Sequence, residues 1–120
     1  MIRNEIYLTE YGWTIVLFAD ACSANIETIL EELDRMGCTE KCTDLSKDNC
    51  GLTYSNIAAR RSIVVIGKAS SDSEIANTIA HESMHLVSHI CECYNIDMNS
   101  ERACYLIGEL VQVICDNYKL

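Results

Sequence analysis

The tightest constraint on the fold lies in the second half of the chain, where two helical patterns follow one another with one short break between them. Ser71 and Glu74 form a capping-box signature, and a long helical pattern runs from about Asp72 to Cys93. Asn95 interrupts it, and Asn99 or Ser100 opens a last helix reaching about Asn117. Ile75, Ile79, Leu86 and Ile90 make an apolar arc on one helix, and Leu106, Leu110, Val113 and Ile114 make one on the other. Both arcs need a surface to bury against, and the N-terminal half has to supply it.

That half reads mainly as strands. Glu5 to Thr9 and Trp13 to Ala19 are rich in β-branched and aromatic residues and flank the turn-forming Glu10, Tyr11 and Gly12, which predicts an opening β-hairpin. Ser23 or Asn25 then caps a helix whose Ile26, Ile29, Leu30 and Leu33 recur at helical spacing, ending at Gly37. Cys38 to Gly51 is polar and aperiodic and reads as a surface loop. Leu52 to Ser55 and Arg61 to Ile66 follow as two short strands. The order β, β, α, β, β, α, α predicts one α+β domain over residues 1–120, with a small mixed or antiparallel sheet of three or four strands packed against the C-terminal helices.

Charge narrows the function classes. Nine Lys and Arg stand against eighteen Asp and Glu, a formal charge of −9, and no basic cluster exceeds Arg60 and Arg61. Such a surface repels phosphate backbones and anionic lipid, so no nucleic-acid or membrane partner is expected. The apolar runs Thr14 to Ala19 and Ile63 to Ile66 are too short to span a bilayer, and MIRNEIYLTE lacks an apolar signal core, which favours a cytoplasmic location. In that reducing setting the eight cysteines read as thiols. Cys104 and Cys115 share a helix side and suit a core role, while Cys38, Cys42 and Cys50, or Cys91 and Cys93, lack zinc-knuckle spacing.

All three histidines fall within nine positions of the longer helix, and His81, Glu82, Ser83, Met84, His85 spells H-E-x-x-H. Residues four apart on a helix stack on one face, so both imidazoles can reach one zinc ion. Glu82, about a third of a turn away, can contact a water on that ion without ligating it. With three His and eleven Glu in the chain, shuffling produces the motif in roughly 0.5 percent of sequences. Chance is a poor explanation for it.

Thr78, Ile79 and Ala80 ahead of the motif and Leu86 and Val87 after it complete a pattern that resembles the zincin metallopeptidases. The resemblance implies zinc ligation by His81 and His85 and general base and acid chemistry by Glu82. Metzincins continue with His-x-x-Gly-x-x-His, which is missing here, whereas gluzincins take a Glu from a following helix, and Glu101 stands sixteen residues past His85. The segment from Glu101 to Gly108 is similar to the second helix of small phage and prophage-encoded H-E-x-x-H proteins and of minimal gluzincins. Around its helix, Tyr105, Gly108 and Gln112 lie within about 40° of Glu101, a non-aliphatic stripe able to face the histidines, with Gly108 permitting close approach. Glu109 and Asp97 compete with Glu101 for the third ligand position.

The leading expectation is therefore a zinc-dependent peptidase of gluzincin type. Its metal ligands would be His81, His85 and Glu101, its base Glu82, and its candidate oxyanion donor Tyr105, with a peptide or protein substrate lying along the edge of the strand Ser62 to Ile66. His89 reads as structural or as support for the ligands, with a substrate contact or substitution for a ligand as the other readings. The alternative is a catalytically silent zincin-like scaffold or interaction protein of phage or mobile-element origin. Oligomeric state is not legible in these residues.

Overall fold

Gly12, at φ +61°, turns the chain between two antiparallel strands, β1 (Ile2–Leu8) and β2 (Trp13–Ala21), registered with Leu8 opposite Trp13 and Ile2 opposite Ala19. The computed structural model describes residues 1–38 and 51–118. After the hairpin come a 3-10 turn (Ser23–Asn25), helix α1 (Ile26–Arg35), strands β3 (Gly51–Asn56) and β4 (Arg61–Gly67), and helices α2 (Asp72–Tyr94) and α3 (Glu101–Tyr118). The α+β order is the one expected. β1 begins earlier than the residue pattern suggested, and Gly51 belongs to β3; of the expected loop, Cys38 packs partly buried against the α1-side core and residues 39–50, with Cys42 and Cys50, lie outside the described residues.

The sheet runs β1-β2-β4-β3, with β2 and β4 parallel and both outer pairings antiparallel. A central parallel pair is covered on both faces, which is why TIVLFA and SIVVI carry no polar alternation. Trp13, Ile15, Leu17 and Ala19 point into one core with α2 and α3, while Val16 and Phe18 join α1's Ile29 and Leu33 in a second. Asp20 adopts a left-handed φ of 59° at a register shift between Ala19 and Ala21. That bulge reverses the alternation, so Ala21 faces the α1 side.

The topology corrects one expectation. Ser62 to Ile66 is fully buried between β2 and β3 and has no free edge. A sheet interior and a sheet edge can be written with the same apolar letters, and the crossover from β2 through α1 and β3 is what puts β4 inside. The outer strand on this side is β3.

Helix α2 is entered through Ser71, whose Oγ accepts the Glu74 amide at 3.3 Å, and is closed by Asn95 in the left-handed conformation (φ 54°). Ser100 caps α3 by accepting the Ala103 amide. Ala103, Leu106, Leu110 and Ile114 are buried against α2 and the sheet. Burying each of the larger three contributes about 1.5–3 kcal/mol, and this sets the rotation of the helix. Glu101, Tyr105, Gly108 and Gln112 consequently face outward. A side-chain carbon added at Gly108 meets nothing within 4 Å, so Gly108 mediates no close approach, contrary to expectation. Cys104 is likewise exposed rather than in the core, whereas Cys115 packs partly buried against it. No helix among the described residues is long and apolar enough to cross a membrane.

Candidate metal centre

The buried face of α2 carries Ile75, Thr78, Ile79, Glu82, Ser83, Leu86, Val87, Ile90 and Cys91. His81 and His85 stand on the exposed flank beside that face. One turn apart, their Nε2 atoms lie 3.3 Å from each other, with ring centroids 4.9 Å apart and the planes inclined at 68°. Two nitrogens each about 2.05 Å from a tetrahedral ion are roughly 3.3 Å apart, so the pair is spaced to hold zinc.

Glu82 is 5% exposed, enclosed on the sheet side by Thr53 and Gly51. A carboxylate that deep costs several kcal/mol unless it is hydrogen-bonded. Thr53 on β3 supplies the bond: its hydroxyl lies 2.9 Å from Oε1 and 3.1 Å from the Glu82 carbonyl oxygen. The second carboxylate oxygen, Oε2, is 3.9 Å from His81 Nε2. The carboxylate of the motif is thus held at the sheet side of the histidines. An open cleft of about 210 Å³, lined by Gly51, Asn77, Thr78, His81 and Glu82, leads to it.

The outer strand β3 does the holding. Leu52 and Tyr54 pack into the α1-side core, and the alternate residues Gly51, Thr53 and Ser55 turn toward α2. A Cβ at Gly51 would fall 2.6 Å from Glu82 Oε2 and 2.8 Å from both Glu82 Cγ and Thr78 Cγ2. Only a glycine lets the strand press this closely on the carboxylate.

His89, one turn beyond His85, is tied to the sheet. Ser55 Oγ lies 2.6 Å from His89 Nδ1 and 2.6 Å from Ser62 Oγ, and Trp13 Nε1 donates to Ser62 Oγ at 2.8 Å. Burial, helped by the neighbouring His85 and opposed by Glu92, holds the His89 pKa below its ordinary value.

The structure brings His81, Glu82 and His85 together. It does not assemble a third ligand with them: no group of three His, Cys, Asp or Glu spaced to hold a metal ion is present among the described residues. Glu101 is exposed at the first turn of α3 and forms no ion pair among those residues, and Glu109 is exposed further along. The Asp97 carboxylate is committed to its turn, accepting the Asn99 amide at 2.9 Å. Tyr105 is 74% exposed.

Thr53, Ser55, Ser62 and Gly51 were missed by reasoning from sequence. The one signal for them is a glycine opening a strand pattern, which marks a close backbone approach. No family model, curated protein or solved structure matches the chain.

Proposed function

We propose that the chain is a small zinc-dependent peptidase of gluzincin type. The observation that carries this reading is the His81 and His85 pair at zinc spacing with a buried carboxylate, Glu82, held beside it by Thr53. His81 and His85 would hold the metal; the zincin resemblance assigns the third position to Glu101, and no third group is spaced with the two histidines among the described residues. Bound zinc would polarise a carbonyl and acidify a water.

Glu82 accepts the proton of the attacking water and passes it to the leaving amine. Thr53 keeps Oε1 occupied, which directs Oε2, the oxygen nearer His81, toward the reacting water. The cleft between Gly51 and Asn77 gives the base its access to solvent and substrate.

The test is hydrolysis of a mixed peptide library by zinc-loaded protein. Wild type cleaves, and Glu82→Gln reduces the rate by about 100-fold or more at unchanged metal content. Zinc binding with no cleavage by wild type supports the silent scaffold instead.

A further inference from the structure

The polar chain behind His89 has a direction. The indole N–H of Trp13 can only donate, so Ser62 Oγ accepts from it and must place its own proton elsewhere. Ser62 is fully buried, and its one other partner among the described residues is Ser55 Oγ. When Ser62 donates to Ser55, Ser55 donates in turn to His89 Nδ1, and every proton in the chain has an acceptor. With Nδ1–H donating to Ser55 instead, either the Ser62 or the Ser55 hydroxyl proton is left without an acceptor among the described residues. A buried donor left unmade disfavours that order by about tenfold or more. An imidazolium at position 89 strands a hydroxyl proton in the same way and buries a charge as well.

We propose that the sheet interior locks His89 as the neutral tautomer protonated on Nε2, making it a fixed hydrogen-bond donor for a ligand carbonyl oxygen at the candidate centre. With Nδ1 accepting from Ser55 and Nε2 carrying the proton, neither nitrogen has a lone pair for a metal, so His89 is not the missing ligand. The lowered His89 pKa agrees with a ring kept neutral. The donor role rests on the metallopeptidase reading; the tautomer does not.

The experiment uses the full chain labelled with ¹⁵N-histidine and long-range ¹H–¹⁵N correlation at neutral pH, metal-free and with one equivalent of zinc. His89 shows a protonated Nε2 and a bare Nδ1 in both states, zinc perturbs the ring nitrogens of His81 and His85, and Ser55→Ala returns His89 to a mixture of tautomers. A protonated Nδ1, a zinc-bound His89, or a tautomer indifferent to Ser55→Ala overturns the lock. For the donor role, acetohydroxamate is titrated into zinc-loaded protein. His89→Leu weakens its binding by about tenfold, and His89→Gln, which keeps an N–H, restores most of it. Equal affinity for His89→Leu and wild type overturns the donor role. A wild-type chain that takes up no zinc defeats the peptidase reading and the donor role together, while the tautomer result stands by itself.

Discussion

Gly51 touches Glu82. The start of β3 lies so close to the carboxylate that an added methyl would sit 2.6 Å from Oε2. No Cβ contact is that short in a relaxed structure, so either the strand or the carboxylate has to move.

Gly51→Ala is therefore expected to destabilise the fold by about 1–3 kcal/mol, the cost of overpacking. Urea unfolding measures it. Gly108→Ala on the exposed face of α3 serves as the opposite control, being neutral or stabilising by up to about 1 kcal/mol because alanine is the better helix former.

Thr53 is the hydrogen-bond donor to a carboxylate that is nearly out of water. Thr53→Val keeps the shape and removes the donor, at an expected cost of about 1.5–3 kcal/mol at neutral pH. The same change in a Glu82→Gln background should cost less, and the difference in a double-mutant cycle, about 0.5–3 kcal/mol, isolates the bond between them.

The rotation of α3 is checked by two truncations. Leu110→Ala empties a fully buried site and is expected to cost about 2–5 kcal/mol, whereas Tyr105→Ala, on the solvent face, stays within about 0.5 kcal/mol. Thermal and urea unfolding of the two variants give the comparison, and a large loss at Tyr105 would turn the helix the other way.

His89 gives stability a pH dependence. Its folded pKa is lowered by burial, then by His85, with Glu92 opposing, so below the ordinary value of 6.5 the unfolded chain binds the proton more readily than the folded one. The contribution is complete above that value and is lost as pH falls through the window between it and the folded pKa. The drop in urea midpoint of metal-free protein on going from pH 7.5 to 5.5 is expected to be smaller in His89→Gln.

Much of this architecture is written locally. Ser71 with Glu74 and left-handed Asn95 delimit α2, the β-branched runs at Thr14 and Ser62 name the central strands, and a four-residue spacing suffices to pair His81 with His85. What local pattern leaves open is set by tertiary choice. A helical wheel divides α3 into two arcs without saying which one faces α2, and the burial of Leu106, Leu110 and Ile114 outweighs any pull of the Glu101 and Tyr105 stripe toward the histidines. The letters of Ser62 to Ile66 fit an edge or an interior equally. The contacts from Gly51, Thr53 and Ser55 to Glu82 and His89 depend on how β3 lies against α2, which only the folded chain determines.

The metal itself is the central claim, and elemental analysis of protein purified without a histidine tag and re-equilibrated with zinc tests it most directly. One zinc per chain, lost in both His81→Ala and His85→Ala and weakened in Glu101→Gln, is the expected result. Substoichiometric zinc that added metal does not restore, or full zinc retained when both histidines are replaced, would contradict it.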